Sequence, residues 1–341
     1  MTSRGTIDVA RPVTLALDAM SGDRGAAVVV DAAESMLRRH GNVRLILVGN
    51  GDELRDLVSS QNGRLEIRHA DEVVQMNESP ADALRRKKNS SMRIAVNLVK
   101  DGAAAACVSA GNTGALMATS KFVLKTVTGI DRPAIMAEIP ARNGSVHLLD
   151  VGANAMCSAH QLYQFAVMGS IVTSKLKGVA KPRVGLLNIG TEDSKGNDVV
   201  REAAEMLENS GLNYVGFVEG NTIFDHAADV VVTDGFTGNV ALKTMEGTAS
   251  LIAQFLRETF SDGWIARLQG AIALPALQRL RARVDPRAYN GASLVGLNGI
   301  VVKSHGGADA IAFEHALETA LLEVQDNLPA EINRWLQDEA A

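Results

Sequence analysis

The chain has 341 residues, of which 46% are hydrophobic and 21% are charged, with a formal net charge of -5 at pH 7. This is the composition of an ordinary folded protein with a substantial core, and it excludes a global basic signal for nucleic-acid binding, so we expect no nucleic-acid partner. The two cysteines, Cys107 and Cys157, have neither metal-ligand spacing nor a disulfide framework, which fits a reducing compartment.

The sequence predicts neither a signal peptide nor a membrane span. The N-terminal segment MTSRGTIDVARP lacks the apolar core of a signal peptide. The longest uncharged stretch, Val151–Ser174, contains Asn154 and His160 and is therefore expected to form a buried amphipathic helix. We expect a soluble, cytoplasmic protein.

The first half of the chain alternates between apolar runs and helix-like stretches. Strands are predicted at Val13–Leu17, Arg44–Val48 and Leu65–His69, separated by helices at Ala26–Arg39 and Asp52–Ser60. This rhythm predicts a parallel sheet covered on both faces. It continues with three further elements: a helix from Pro80 that carries Arg85–Lys88, a helix at Ile94–Lys100 and a strand at Ala104–Ser109.

The second half continues the same alternation. Ala134–Ile139 is expected to pair antiparallel with Val146–Asp150. Four more strands are predicted, at Val184–Ile189, Tyr214–Val218, Val230–Thr233 and Gly299–Val302. No Pro- or Ser-rich linker divides the chain, so the sequence predicts one continuous α/β domain over residues 1–341.

Residues 251–287 break the alternation and predict a protruding helical hairpin. Apolar residues fall at helical spacing, Pro275 is expected to interrupt this pattern, and the spacing resumes after it; the residues are Trp264, Ile265, Leu268, Ile272, Leu277, Leu280 and Val284. Arginines flank this stripe at positions Arg267, Arg279, Arg281, Arg283 and Arg287. Two interpretations stay open: a dimer-interface or core helix pair, or a surface that also contacts anionic lipid.

Five apolar runs end in turns rich in glycine and asparagine, each leading into a helix-like stretch. They lie at Leu15–Asp23, Cys107–Met117, Leu148–Asn154, Val184–Asn197 and Val230–Lys243. In a parallel sheet such turns share the edge at which ligands bind. Glycine allows close backbone approach, and the N–H groups that begin a helix favour an anion. The turns therefore predict a phosphate-handling site in one crevice.

The motifs in these turns carry a specific resemblance. In chain order they are LALDAMSGD at Leu15, RRKKNSSM at Arg85, SAGNTGALM at Ser109, RPAI at Arg132, LLDVGAN at Leu148, NIGTEDSKGND at Asn188, GFVEGN at Gly216, TDGFTGNVALKTMEG at Thr233 and GIVVKSHGGAD at Gly299. Along nearly the whole chain this order resembles the phosphate acyltransferases of bacterial phospholipid synthesis. The chain departs from that pattern at Ser21, Ala26 and Asn221.

The resemblance implies a three-layer α/β/α fold with a mainly parallel sheet, akin to isopropylmalate dehydrogenases and phosphate acetyltransferases. It also implies a reaction in which inorganic phosphate attacks the thioester of an acyl-acyl-carrier protein, giving acyl phosphate and free carrier protein. The resemblance further implies a homodimer and peripheral attachment to the inner face of the membrane through the hairpin. It also implies that the product is transferred to a membrane glycerol-3-phosphate acyltransferase. No metal or other cofactor is expected.

This chemistry needs positioned donors and cations rather than a nucleophilic side chain, because the phosphate dianion is itself the nucleophile. The predicted catalytic residues are Lys195, Lys303, His305 and Asp234. The predicted substrate-binding residues are Asp18, Gly22, Asn112, Thr113, Gly114, Asp150, Asn154, Asn188, Gly190, Thr237 and Asn239. Both cysteines are expected to be packing residues.

Structural roles compete with these assignments. Lys195 could be a solvated surface lysine, His305 could cap a local turn, and asparagine favours turns for local reasons. The three aspartates would repel phosphate, so we expect them mainly to orient Lys195 or backbone amides, with helix capping or general-base assistance as alternatives. The basic run Arg85–Lys88 is either a solvated helix face or a docking patch for an acidic carrier protein, a role for which the hairpin arginines compete.

Other functions fit the sequence less well. The first strand is not followed by G-x-G-x-x-G with an acidic residue some twenty positions on, which disfavours a nicotinamide-dependent dehydrogenase. The absence of G-x-x-x-x-G-K-[ST] disfavours a kinase. A phosphate acetyl- or butyryltransferase acting on coenzyme A is chemically closer, and a non-catalytic membrane scaffold is the alternative from a different class.

Overall fold

The computed structural model describes residues 12–59 and 63–339, without the side chains of residues 280–284. The expectations for the N-terminal segment, for Ser60 and for the side chains of Leu280, Arg281, Arg283 and Val284 lie outside this description. The described residues group into two compact units. Unit 1 combines the residues up to Gly129 with those from Asn290 onward, and unit 2 is Ile130–Tyr289.

Unit 1 is built on a mainly parallel sheet with strand order β3-β2-β1-β4-β11-β10. Its strands are β1 (Val13–Asp18), β2 (Val43–Gly49), β3 (Leu65–His69), β4 (Ala106–Ser109), β10 (Ala292–Val295) and β11 (Ile300–Lys303). All pairs are parallel except β10 with β11. Strand β10 was missed by the sequence reasoning, because ASLV is short and its polar Ser293 interrupts the apolar run.

Helices cover both faces of this sheet. They are α1 (Ala26–Arg39), α2 (Gly51–Leu57), α3 (Pro80–Arg86), α4 (Ser91–Lys100), α5 (Thr113–Leu124), α10 (Ala310–Gln325) and α11 (Leu328–Glu339). Helices α1 and α10 pack together, and α4 and α5 pack together. Consecutive β1 residues Leu15, Ala16 and Leu17 are all fully buried, as a strand between two helix layers must be.

Side-chain caps define where several helices begin. Ser79 precedes Pro80 and accepts from the N–H of Asp82, while Ser90 accepts from the N–H of Arg93. Helix α3 ends at Arg86, so Lys88 of the basic run lies beyond the helix that was predicted to carry it. The reason is local: Lys87 adopts a non-helical conformation as the C-cap.

Unit 2 has its own strand order, β5-β6-β9-β7-β8. Its strands are β5 (Ala134–Ala141), β6 (Gly144–Leu149), β7 (Arg183–Asn188), β8 (Asn213–Glu219) and β9 (Val230–Val232). The predicted antiparallel pairing of β5 with β6 is confirmed, and the other pairs are parallel. Its helices are α6 (Ala159–Lys177), α7 (Asp198–Glu208), α8 (Gly235–Ser261) and α9 (Gly263–Val284).

The helical hairpin is present but longer than predicted. It is formed by α8 and α9, and α8 begins at Gly235 because Asp234 caps it and accepts from the N–H of Thr237. Pro275 was expected to interrupt the helical pattern of the hairpin, but α9 continues through it. A proline removes only one backbone N–H donor, and the helical turns on either side of Pro275 keep their own hydrogen bonds, so the long helix tolerates it.

The predicted class, an α/β fold with a mainly parallel sheet, is confirmed in both units. Within the uncharged stretch the helix α6 begins at Ala159 rather than at Val151, and it is buried along most of its length. Among the described residues, no helix combines the length and apolar character needed to cross a membrane.

Candidate functional site

Three neighbouring strands of unit 1 end together in polar residues. Strand β4 lies between β1 and β11, and the register aligns Ser109 with both Asp18 and Lys303. These three residues therefore lie side by side at the carboxyl edge of the sheet, where the turns were predicted to gather. We refer to Asp18, Ser21, Ser109, Lys303 and Ser304 as the Asp18 cluster.

Serine hydroxyl groups connect the first two turns of this edge. Ser109 Oγ donates to Asp18 Oδ2 at 2.7 Å and accepts from the N–H of Gly111 at 3.1 Å. Ser21 Oγ donates to the Asp18 carbonyl at 2.9 Å and accepts from the N–H of Ala110 at 3.0 Å. Ser21, which departs from the family motif, is thus a bridge between the turns after β1 and β4.

Asp18 is fully buried at the centre of this network. Burial raises its pKa above the ordinary value, although hydrogen bonds from Ser109 and Ser91 lower it. Within the described residues, Asp18 Oδ1 accepts no hydrogen bond of normal geometry. A raised pKa favours the neutral carboxyl, which would repel an incoming phosphate less than a carboxylate would.

Lys303 supplies a buried cation at the end of β11. The residue is 8% exposed, and its Nζ donates to the carbonyl oxygens of Ala110, at 3.3 Å, and of Ser304. Asn290 Nδ2 donates to Ser304 Oγ at 2.8 Å. The ammonium group is therefore held at this edge by backbone carbonyls, within a turn that a distant asparagine supports.

His305 follows this cation on an exposed turn. Its Nδ1 accepts from the N–H of Gly307 at 3.1 Å, which places the proton of the neutral ring on Nε2. Its own N–H donates to Asn290 Oδ1 at 2.8 Å. The local turn contact that was the alternative for His305 is thus present, and Nε2 is the ring atom that could donate to a substrate.

The turn after β4 presents backbone donors. Asn112 is the N-cap of α5; its Oδ1 accepts from the N–H of Ala115 at 3.0 Å, and its Nδ2 donates to the carbonyls of Met76 and Glu78. Within the described residues, the exposed N–H groups of Thr113 and Gly114 have no hydrogen-bond partner. Asn112 therefore builds the turn, while Thr113 and Gly114 offer the N–H groups that an anion can accept.

Glycines permit close packing around the first turn. Gly22 has φ 90°, and a Cβ there would lie 3.1 Å from both Ala110 Cβ and the Gly306 carbonyl oxygen. The N–H of Asp23 donates to that same carbonyl at 2.8 Å. The cavity behind this turn measures about 10 Å³, enough for about one water and too small for orthophosphate. Gly22 therefore has a packing role in this turn.

In unit 2 the predicted residues gather around the loop Asp150–Asn154, which we call the Asp150 loop. The Asp150 carboxylate is fully buried and accepts five hydrogen bonds. Its Oδ1 accepts from the N–H groups of Ile135, Gly152 and Ala153 at 3.0, 3.2 and 3.0 Å. Its Oδ2 accepts from the backbone N–H and the Nδ2 of Asn154 at 2.7 and 2.9 Å.

This saturation identifies what Asp150 does. Burial raises its pKa, while the amide donors lower it, and no oxygen of the carboxylate is left for Lys195. Asn154 Nδ2 also donates to the Pro133 carbonyl at 2.8 Å. Asp150 and Asn154 therefore orient backbone amides, one of the two orientation roles predicted for the aspartates.

Helix α8 begins directly against the Asp150 loop. The N–H of Gly235 donates to the Asn154 carbonyl at 2.7 Å, and a Cβ at Gly238 would lie 2.0 Å from the Asp150 carbonyl oxygen. Asn239 lies on the same turn, 3.7 Å from the position of a Cβ at Gly152.

Asp234 is placed as a helix cap. Its Oδ1 accepts from the N–H of Thr237 at 2.9 Å, and its Oδ2 accepts from Thr237 Oγ1 at 2.7 Å. Capping was one of the alternatives for this residue, and it accounts for both oxygen atoms. The Thr237 hydroxyl is committed to the same cap.

The third turn of unit 2 follows β7 and carries Lys195. Asn188 Nδ2 donates to the Lys195 carbonyl at 3.3 Å, and a Cβ at Gly190 would lie 3.0 Å from Lys195 Cγ. The lysine is exposed, and among the described residues it has no ion-pair partner. Asn188 and Gly190 thus shape a turn that leaves the Lys195 ammonium available to an anionic ligand.

Neither cysteine is suited to nucleophilic catalysis. Cys107 is fully buried in β4, and burial raises its pKa well above the ordinary value. Burial, with Asp150 nearby, raises the pKa of Cys157 to about 11. Both thiols are therefore protonated at neutral pH, and the thiolate is the nucleophilic form. No group of three or more potential metal ligands occurs among the described residues.

Sequence reasoning identified the turns but missed several residues that build them. Ser109 is the last residue of β4, and Ser304 directly follows β11. A serine at the end of an apolar strand was the sequence signal that could have identified both as site residues. Asn290 supports Ser304 and His305 from a segment outside every recognised motif. The support that Asn290 gives these residues depends on tertiary contacts, which cannot be predicted from the local sequence.

Comparison with known proteins identifies the family. Residues 13–331 match the family described as Fatty acid synthesis protein. A phosphate acyltransferase of Alkalilimnicola ehrlichii is 57% identical over 329 residues, covering 95% of this chain and 96% of the relative. One from Nitrosococcus oceani is 54% identical, covering 95% of this chain and 97% of the relative. The chain belongs to the phosphate acyltransferase family.

Membership in this family establishes an enzyme that transfers an acyl group to phosphate in fatty-acid and phospholipid synthesis. Solved structures agree on the fold. A phosphotransacetylase from Streptococcus pyogenes superposes with a TM-score of 0.60 at 19% identity, over 93% of this chain and 94% of that one. The EutD phosphotransacetylase from Staphylococcus aureus gives 0.57 at 18% identity, over 92% and 94%. At these identities the likeness shows the fold alone.

Proposed function

We propose that the protein transfers a fatty acyl group from acyl-[acyl-carrier protein] to inorganic phosphate, releasing acyl phosphate for phosphatidic acid synthesis. The observation that carries this proposal is the combination of available anion donors with unreactive thiols. Thr113 and Gly114 offer N–H groups, the Lys195 ammonium has no ion-pair partner within the described ranges, and burial keeps both cysteines protonated at neutral pH. Such residues can position a phosphate, and they provide no acyl-enzyme nucleophile.

In the proposed reaction a phosphate oxygen attacks the thioester carbonyl carbon directly. A C–O bond forms, the carbonyl oxygen becomes an oxyanion, and the C–S bond then breaks as the carbonyl is restored. The leaving thiolate has an ordinary pKa near 8.5 and takes a proton from water. No strong general acid is needed, so stabilisation of the oxyanion and of the phosphate dianion is the main task of the protein.

We assign that task first to Thr113, Gly114 and Lys195, whose donors have no partner among the described residues. The N–H groups of Thr113 and Gly114 and the Lys195 ammonium are proposed to contact phosphate or the oxyanion. Lys303 contributes positive charge at the end of β11, and His305 Nε2 is proposed as a further donor.

The remaining predicted residues are proposed to act by shaping the turns. Seven residues of this set use their side chains on backbone groups, on the Ser109 hydroxyl or in a helix cap, so we propose that they position the donors. They are Asp18, Asn112, Asp150, Asn154, Asn188, Asp234 and Thr237. Gly22, Gly190 and Asn239 are proposed to complete the substrate-binding turns.

Exposed apolar side chains beside the Asp150 loop support a long acyl group rather than acetyl. Met156 is 84% exposed just after this loop, and Phe236 is 66% exposed just after Gly235, which contacts the loop. An apolar chain that covers these side chains gains about 25 cal/mol for each Å² removed from water. We propose that the first carbons of the acyl chain pack there.

An acidic carrier protein requires a basic docking surface. Arg85 and Lys88 are exposed and have no ion-pair partner among the described residues. Helix α3 packs on α5, whose first residues offer N–H groups, and a Cβ at Gly114 would lie 2.8 Å from Pro80 Cγ at the start of α3. Arg85 lies within about two helical turns of that contact. We propose that α3 receives the carrier protein, in preference to the hairpin arginines.

The hairpin is proposed to mediate dimerisation and peripheral contact with the inner face of the membrane, close to a membrane glycerol-3-phosphate acyltransferase. Large apolar side chains lie exposed along it: Leu251, Ile252, Phe255, Trp264, Ile265, Leu268, Ile272 and Leu274. Replacing Leu268 and Ile272 with serine should reduce sedimentation with anionic vesicles before it reduces activity in solution. A monomeric variant with unchanged vesicle binding would assign these residues to the dimer alone.

The deciding experiment measures free carrier protein released from purified acyl-carrier substrate, with and without orthophosphate, in the absence of nucleotide and added metal. The proposal requires release that depends on phosphate and yields acyl phosphate in equal amount. Acyl-coenzyme A serves as the matched donor. Turnover with acyl-coenzyme A and none with the acyl carrier would contradict the proposed donor and favour a coenzyme A-dependent transferase.

A further inference from the structure

Unit 1 has a second concave site, at the edge of the sheet opposite the Asp18 cluster. It is a groove of about 560 Å³ lined by α4 from its first turn to its last residue, by the end of α5 and by the turn before β11. Its polar and aromatic lining residues are Arg93, Asn97, Lys100, Phe122, Lys125 and Asn298, with aliphatic residues between them. A volume of this size is typical of a small-molecule site.

The groove collects positive charge without neutralising it. Arg93, Lys100 and Lys125 line it, no acidic residue does, and none of the three has an ion-pair partner among the described residues. In a chain with more acidic than basic residues, three unpaired cations around one concavity form a local anion-attracting potential. Partial burial lowers the pKa of Arg93 from its very high ordinary value.

Phe122 holds two of these cations in position. The Arg93 guanidinium carbon and Lys125 Nζ each lie 4.9 Å from the centroid of its ring. A cation–π contact orients a cation without removing its charge. The ring is 53% exposed, so the cations remain accessible beside it.

Lys125, one of the groove cations, has an unfavourable backbone conformation. Lys125 has φ 63°, a value that favours glycine, yet a lysine occupies the position. Asn298 holds this turn, because its N–H donates to the Lys125 carbonyl at 3.1 Å and its Nδ2 donates to the Thr126 carbonyl at 2.7 Å. The strain is therefore supported by a second groove residue.

The three elements that line the groove each also reach the Asp18 cluster or its turns. Helix α4 begins at Ser91, which contributes a hydrogen bond to Asp18. Helix α5 begins at Thr113, which offers a free N–H. Strand β11 ends at Lys303. A ligand in the groove would thus contact elements that also form the candidate phosphate site: α4 along its length, and α5 and β11 at their opposite ends.

We propose that this groove is a regulatory binding site for a small soluble anion that carries two or more phosphate groups. Three cations and two side-chain amides match the charge and the acceptor oxygens of such a ligand. The concave shape suits a small molecule better than a flat protein or lipid surface. The proposal concerns a site apart from the catalytic residues and does not depend on the identity of the acyl donor.

Tripolyphosphate is the probe for the first test, which measures binding by calorimetry in the presence of saturating orthophosphate. Lys125→Gly removes the ammonium and suits φ 63°, so the variant should fold at least as well as the wild type. We expect Lys125→Gly and Arg93→Gln each to weaken binding about tenfold or more, because each loses a charge-assisted contact. Lys121→Gln, one turn away on α5 and outside the groove, is the matched control.

The second test measures KM for orthophosphate with and without tripolyphosphate. The proposal requires a change in KM in the wild type and in Lys121→Gln, and none in Lys125→Gly. Equal binding by Lys125→Gly and Lys121→Gln would overturn the site, and binding without a change in KM would overturn its regulatory role. Loss of vesicle or carrier-protein binding in the groove variants, with tripolyphosphate binding intact, would assign the groove to that partner and also overturn the proposal.

Discussion

A buried glutamate makes the stability of unit 1 depend on pH. Glu323 on α10 is 4% exposed, and burial raises its pKa to about 8, although a hydrogen bond from Ser293 Oγ to its Oε1 lowers it. The residue is therefore mostly protonated in the folded protein at neutral pH. In the unfolded chain it titrates near its ordinary value of 4.5.

The sign and size of the effect follow from this difference. Because the folded pKa is raised, the stabilising contribution is complete below about pH 4.5 and is lost as the pH rises through about 8. Between about pH 5 and pH 8 the unfolded state releases the proton and the folded state largely keeps it. The free energy of unfolding should fall by about 3–4 kcal/mol from this group. For a unit of this size that corresponds to a shift in Tm on the order of 10 °C.

Scanning calorimetry at the two pH values, on the wild type and on Glu323→Gln, measures this contribution. The amide is isosteric and stays neutral, so the variant should lose the part of the pH dependence that Glu323 causes. Ser293→Ala is the companion variant: it keeps the carboxyl group but removes the hydrogen bond that lowers its pKa, and its stability should decline further into the alkaline range. Equal declines in the wild type and in Glu323→Gln would refute the reasoning.

Three further substitutions test the site. Lys195→Ala should lower kcat/KM at least about tenfold without changing Tm, because the ammonium is exposed and has no ion-pair partner in the part of the chain that the structure describes; near-normal turnover would refute its role. Gly238→Ala should destabilise by at least about 1–3 kcal/mol in denaturant unfolding, since its Cβ would lie 2.0 Å from the Asp150 carbonyl oxygen, whereas Gly211→Ala has open space and should not. Phe236→Ser should raise KM roughly tenfold for a long-chain acyl donor and little for a short one; equal effects would contradict the acyl-chain assignment.

Much of the fold could be predicted, because strand and helix periods are local. The predicted bounds of α1 and β3 agree with the structure, and β1 differs by one residue. The limits of the hairpin could not be predicted, since glycines such as Gly247 weaken the helical signal along α8. The cap that starts this helix, Asp234, depends on a backbone conformation that the sequence does not specify.

The candidate site was predictable as a set of turns but not as a set of roles. Asn112, Asn154 and Asp150 look alike in sequence as polar residues after apolar runs, and each is consumed by backbone groups of its own unit. A donor such as the Thr113 N–H stays available only if no acceptor lies near it in the folded protein, and the sequence does not show where those acceptors lie. The support that Asn290 gives to Ser304 spans a sequence distance that no local pattern covers.

The contact between Gly238 and the Asp150 carbonyl also bears on how this protein could be re-engineered. Since no side chain fits between them, the first turn of α8 and the Asp150 loop form a single rigid piece. A chimera that exchanges the hairpin for another should therefore keep residues 150–239 of this chain and place its junction in the second turn of α8 or beyond. A junction closer to Asp234 would pair a foreign helix start with a loop shaped for this one.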